Sequence, residues 1–152
     1  MKVFIVLLAA SFSISAFACP QLQGRYNKCH SEIRQVKGEY IIDQHQENFY
    51  EVYDIQYIDD ETGESRNDQL KTDNKIASRK ETLPRMGVTV RIEAKTSCEN
   101  NAVVSVGDAY FFGARVGSFT TRIFREGKLL KSNLDGSYLG KEAHKRIVCE
   151  LE

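Results

Sequence analysis

The chain of 152 residues carries 21 basic and 21 acidic side chains, two prolines, four cysteines and no tryptophan. A formal charge of zero at pH 7 argues against a nucleic-acid binder, which needs a basic stripe. The length suits one domain with a single core, and nothing in the composition marks a linker.

The N-terminus opens with Lys2 and an apolar run that ends at Ala16, Phe17 and Ala18. A positive start, an apolar core and small residues three and one before a cut are the pattern of a secretory signal peptide. The run is short for a bilayer span of ~20 residues, so cleavage after Ala18 is expected rather than a retained anchor. The expected organisation is residues 1–18 as signal peptide and residues 19–152 as one exported domain, periplasmic or secreted. Cys19 at the new N-terminus raises the alternative of a lipid anchor. A lipoprotein signal carries Leu three residues before the Cys and a small residue just before it or one further back. Ala16 and Phe17 suit plain cleavage better, and no second apolar segment is long enough to span a membrane.

Beyond Cys19 the chain reads as strands punctuated by turns. The stretch LQGRY, residues 22–26, opens the first of them. SEIRQVKG, residues 31–38, is the one short helix predicted, with Ser31 as N-cap and Gly38 just past its end. NFYEVYDIQYI puts Phe49, Tyr53, Ile55 and Tyr57 on one side and Tyr50, Val52 and Ile58 on the other. The acidic DDETGE, residues 59–64, reads as a solvated turn, because it lacks the ligand ladder of a calcium loop.

The clearest run is MGVTVRIEAK. Met86, Val88, Val90, Ile92 and Ala94 alternate without error against Gly87, Thr89, Arg91, Glu93 and Lys95, which is a half-buried strand. AVVSVGDAYFF and GSFTTRIFRE follow, joined by a turn between Gly113 and Gly117. The chain then bends at Glu126 and Gly127. Asp135-Gly136 is a strong hairpin signal, because Gly accepts a left-handed backbone. HKRIVCEL closes the chain with Ile147, Cys149 and Leu151 on one face.

These elements predict an all-β domain of about eight to ten strands with at most one short helix. Without helices between strands, a parallel βαβ sheet is excluded. A small antiparallel up-and-down barrel is favoured over an open sandwich. Gly24 suits a barrel corner, and closure removes the exposed edges of a secreted sheet.

The chemistry-bearing residues are sparse. Nucleophile elbows, zinc-protease motifs and phosphate loops are all missing. His30, His45 and His144 fall on different strands and read as surface histidines, so no metal site and no cofactor is expected. An enzyme is therefore not expected. Cys19, Cys29, Cys98 and Cys149 form an even set in an exported chain, which implies two disulfides.

Gly24 and Tyr26 in LQGRY resemble, in a tyrosine version, the Gly-x-Trp signature that begins the first strand of lipocalins. The start C-P-x-L-x-G-x-Y and the Cys-bearing last strand also resemble small exported bacterial proteins. The lipocalin resemblance implies that Tyr26 packs on an arginine of the last strand, and Arg146 stands at a comparable place. It further implies a lipocalin-like barrel with a mouth for a small apolar ligand.

Four cysteines allow three connectivities. A single strand from Leu22 to Cys29 holds Cys19 and Cys29 too far apart to bond. If the last strand returns beside the first, Cys149 pairs with Cys19 and Cys29 pairs with Cys98. Two functions from different classes remain. The one favoured, because of the resemblance at the two ends of the chain, is a non-enzymatic, lipocalin-like binder of a small apolar ligand. The other is an envelope or secreted protein-binding domain, such as a hydrolase inhibitor, acting through loops. A filled interior favours the second.

Overall fold

The computed structural model describes residues 19–31, 37–83 and 87–152. Residues 1–18, expected as signal peptide, the body of the expected helix (residues 32–36) and Met86 lie outside the described residues. The described chain is all-β. Ten strands follow one another: β1 (Gly24–Ser31), β2 (Gly38–Glu47), β3 (Tyr50–Asp59), β4 (Ser65–Lys71) and β5 (Ile76–Leu83). Then come β6 (Val88–Glu99), β7 (Ala102–Phe111), β8 (Ala114–Glu126), β9 (Leu129–Tyr138) and β10 (Lys141–Leu151).

All ten belong to one antiparallel sheet in the order β4-β3-β2-β1-β10-β9-β8-β7-β6-β5. Two up-and-down meanders, β1 to β4 and β5 to β10, are thus joined where the first strand pairs with the last. The sheet curls into a half-barrel whose edges are β4 and β5. No backbone ladder joins these edges among the described residues. Arg79 on β5 forms an ion pair with Asp68 on β4, and the Asn74 amide donates to the Thr96 carbonyl at 3.1 Å.

Strand alternation assigns the two faces. Val90, Ile92 and Ala94 lie on the inner face, which continues through Thr96 to Cys98. Tyr53 and Ile55 do the same on β3, as do Ile147, Cys149 and Leu151 on β10. The core gathers Leu22, Tyr26, Ile42, Tyr53, Val103 and Leu130 around the Cys29–Cys149 bridge. Gly24 at the head of β1 has φ 152°, and a Cβ there meets Leu151 Cδ1 at 2.5 Å. Glycine is what lets β1 begin against the end of β10.

The disulfides are Cys19–Cys98 and Cys29–Cys149, which corrects the expected pairing of Cys19 with Cys149 and Cys29 with Cys98. The reason is register. Tyr26 pairs with Leu151 and His30 with Val148, so Cys29 faces Cys149 across the β1–β10 ladder. Cys19 precedes β1 by five residues, beyond the end of β10, and its chain crosses the curl to reach Cys98 on β6.

Tyr26 and Arg146 do not meet either. Tyr26 lies opposite Leu151, five residues along β10 from Arg146, and an odd offset puts the two on opposite faces. Arg146 donates to the Asp135 carboxylate at 2.8 Å and to the Leu134 carbonyl at 3.1 Å on the outer face. The arginine beside Tyr26 is Arg125 of β8.

Two turns also move. Asp135 and Gly136 lie inside β9, paired with His144 and Ala143, and the hairpin falls at Leu139 and Gly140. Gly136 serves close packing instead, since a Cβ there would collide with the Ser118 carbonyl oxygen. Likewise the β7–β8 turn is Phe112-Gly113, and residues 114–117 already belong to β8.

Candidate functional site

Antiparallel order gives the half-barrel two distinct ends. At one end β1 begins, β10 finishes, and the β2–β3, β6–β7 and β8–β9 hairpins turn. Residues 19–23 plug this end. The Leu22 amide donates to Gln44 Oε1 at 2.8 Å, and the Tyr26 hydroxyl donates to the Leu22 carbonyl at 2.7 Å. The Tyr53 hydroxyl donates to the Pro20 carbonyl at 2.8 Å. Both phenols are fully buried, and burial pushes both hydroxyls above their ordinary pKa, so they act as fixed donors. Glu51, whose charge also raises the Tyr53 hydroxyl, accepts from Gln44 Nε2 at 3.2 Å. These groups brace the plug.

Above the plug, the concave face encloses a cavity of about 60 Å³. Tyr40, Ile42, Ile55, Ile123, Leu130 and Ile147 supply its apolar walls. Pockets for drug-sized molecules span ~300–1,000 Å³, and this space beside the Cys29–Cys149 bridge lies well below that range. A wider, shallow depression of about 560 Å³ lies over β2, β3 and β4. Its lining mixes Ile41 and Ile55 with polar groups: Asp43 faces Asp54 across the ladder, and Gln69 Nε2 donates to Asp54 at 2.7 Å.

The three histidines stay apart. His45 on β2 lies 3.5 Å from both Glu47 and Asp54, and His144 on β10 accompanies Asp135 at 2.7 Å. His30 sits on β1 opposite Val148. Among the described residues, no group of three His, Cys, Asp or Glu side chains is placed to hold a metal ion.

The opposite end, open among the described residues, carries the feature that sequence reading missed. Two neighbouring hairpins, β7–β8 and β9–β10, turn here through Phe112-Gly113 and Leu139-Gly140. All four residues have positive φ: 47° and 84° in the first turn, 48° and 77° in the second. This is the type I′ geometry that matches strand twist, and its first position favours Asn, Asp or Gly. Here it holds Phe112, 94% exposed, and Leu139, 64% exposed. The Leu139 amide donates to the Val116 carbonyl at 2.8 Å, fastening the second tip to the stem of the first. The Phe111 and Phe112 rings meet at a tilt of 58°, with centroids 4.4 Å apart. The signal was present in the strings YFFGAR and SYLGK, where an apolar pair precedes Gly and a cation follows.

The acidic β3–β4 turn, residues 59–64, belongs to the same end. Asp59 Oδ1 accepts from the Glu61 and Thr62 amides at 2.9 Å, an Asx-type turn that also holds the Asp59 carboxyl below its usual pKa. Its function is local closure. No protein-family model matches the chain, and neither a curated protein nor a solved structure shows significant similarity to it.

Proposed function

We propose that this protein is an exported, non-enzymatic binding domain that engages another surface through the hairpin loops of its open end. The observation that carries this reading is the contrast between interior and rim. The concave face holds a cavity of about 60 Å³, while Phe112 and Leu139 are held out to solvent on ordered hairpins. Large apolar residues exposed together mark interaction sites more often than scattered single ones. Strain at both positions points the same way, since backbone cost without a packing return concentrates at functional sites.

Export after loss of residues 1–18 is supported by two disulfides, which persist in oxidising compartments. The Cys19 thiol is engaged with Cys98, and a lipid thioether on the same sulfur excludes that bond. This supports plain cleavage over a lipid anchor.

The second reading is a lipocalin-like carrier of a small apolar ligand on the concave face. Its support is the apolar lining from Ile42, Ile55, Ile123 and Ile147. Amide hydrogen exchange separates the two when the protein is incubated with the soluble and membrane fractions of its own host envelope. Protection of residues 111–116 and 138–141 in either fraction is expected. Protection confined to the strands around Ile42, Ile55 and Ile123 overturns the loop reading in favour of the carrier.

A further inference from the structure

Resting on the loop reading, we infer that the open end docks on a lipid bilayer, with Phe112 and Leu139 immersed as paired apolar tips. The shape of the feature points first to lipid. The two side chains stand at the apices of protruding hairpins, and they are not the walls of a groove. Their exposed area is roughly 300 Å², judged from the size of such side chains. A stable protein interface takes about 800 Å² from each partner. Two tips alone fall well short of that, whereas a bilayer accepts any apolar apex without a matching surface.

The tier behind the tips has the make-up of a membrane interface. On the first hairpin Tyr110 pairs with Arg115, and Arg91 lies over the Tyr110 ring at 4.9 Å from its centroid. On the second, Tyr138 pairs with Lys141. Aromatic rings with cations beside them collect at head-group depth, where a ring takes the apolar side and a cation reaches phosphate. Each hairpin therefore repeats one order: apolar apex, glycine, then an aromatic beside a cation.

Charge fixes how the end approaches. Arg115 is paired with Asp108 at 2.6 Å, Arg91 with Glu93 at 2.8 Å, and Glu142 follows Lys141. The β3–β4 turn at the same end adds Asp59, Asp60, Glu61 and Glu64. Long-range attraction to anionic lipid is therefore weak, and burial of the tips supplies the binding. The β7–β10 side enters first, tilted so that the acidic turn stays in water.

The test uses the mature domain and vesicles of phosphatidylcholine, with and without phosphatidylglycerol. Phe112→Trp installs a single tryptophan in a chain that has none. A blue-shifted emission with both vesicle types, quenched by brominated acyl chains, is expected. Phe112→Asn and Leu139→Asn each weaken cosedimentation about tenfold, and the double variant about a hundredfold. Asn accepts the left-handed backbone, so thermal unfolding of these variants confirms that the fold survives. Unshifted emission with no cosedimentation overturns the lipid inference. If envelope protection of the hairpins persists in that case, the loop reading stands with a protein partner. Self-association at micromolar concentration that Phe112→Asn abolishes also overturns it, in favour of a second copy of this chain.

Discussion

The two ends of the half-barrel solve the same turn with different residues. At the plugged end, β6 and β7 are joined by Asn100-Asn101, with φ 50° and 56°. At the open end the same geometry is built from Phe112-Gly113 and Leu139-Gly140. Asparagine bonds to local backbone and tolerates the left-handed region, whereas Phe and Leu pay for it with steric strain. The chain thus contains the favourable solution and does not use it where the tips are apolar. The plugged end also holds the bridge to Cys98 and the buried tyrosine hydrogen bonds, with Phe49 exposed in its β2–β3 turn, while the open end holds two exposed apolar side chains at strained turn positions. Covalent and buried hydrogen-bonded bracing is concentrated at one end, and the proposed docking tips stand at the other.

The largest way to break this contrast is to cut the plug loose. Replacing Cys19 and Cys98 by Ser frees a loop of sequence separation 79 in the unfolded chain. The chain-entropy model assigns such a bridge about 4–5 kcal/mol, read from guanidinium unfolding midpoints and slopes. A loss below about 1 kcal/mol places the stability of the domain elsewhere than in the plug.

Next in size is Gly24→Ala. Alanine at φ 152° is strained, and its Cβ presses on Leu151 Cδ1 at 2.5 Å. A destabilisation of about 1–3 kcal/mol is expected in the same assay, with the β1–β10 seam loosened first in hydrogen exchange. An unchanged midpoint means that β1 does not need its close start against β10.

The register that makes Gly24 matter also marks the boundary of what can be read from residues alone. Period-2 alternation located the strand from Val88 onward, the inner faces of Tyr53 and Ile55, and the closing Ile147, Cys149 and Leu151. Alternation is local, so it survives any tertiary arrangement. Pairings across the β1–β10 seam depend on a register that no single strand carries. A shift of one residue reverses the face, which is why Arg146 turned outward and Arg125 stands near Tyr26. Asp135-Gly136 misled for a related reason. Its glycine answers the close approach of Ser118, a contact invisible in the local string. The open-end tips escaped notice because Phe and Leu read as strand residues, not as turn residues.

Phe112→Asn sharpens the comparison directly, since it gives the open end the residue of the plugged end. Stability rises by up to about 1 kcal/mol as strain is relieved, with thermal unfolding as the measure. Phe112→Ala separates strain from exposure, because it keeps the left-handed penalty while removing the ring. A destabilising Asn substitution shows that Phe112 contributes to the fold through its Phe111 contact, and the division between the two ends weakens accordingly.

The smallest effect is electrostatic and sits on the outer face of β9 and β10, behind the open end. His144 Nδ1 and Arg146 Nη2 both meet Asp135 Oδ1, at 2.7 and 2.8 Å. Hydrogen bonding to Asp135 raises the His144 pKa above its ordinary 6.5, and Arg146 followed by His144 holds the Asp135 carboxyl below 3.8. A raised histidine stabilises the fold fully below its unfolded pKa of 6.5 and loses that contribution as pH climbs through the higher folded value. A lowered carboxyl contributes above 3.8 and loses its share as pH falls through the lower folded value. The pair therefore acts together from mildly acidic pH up to the titration of His144. Its members are solvent-exposed, so the contribution is small and screened by salt. NMR titration of the His144 ring checks the direction. A midpoint above 6.5 that falls back in Asp135→Asn is expected, and a midpoint indifferent to that substitution removes the Asp135 contact as its cause. Titration repeated with vesicles sharpens the spatial division, because His144 lies four strand positions from the Leu139-Gly140 tip. A docked open end shifts the His144 midpoint, and an unchanged midpoint with vesicles present keeps the bilayer away from this part of β10.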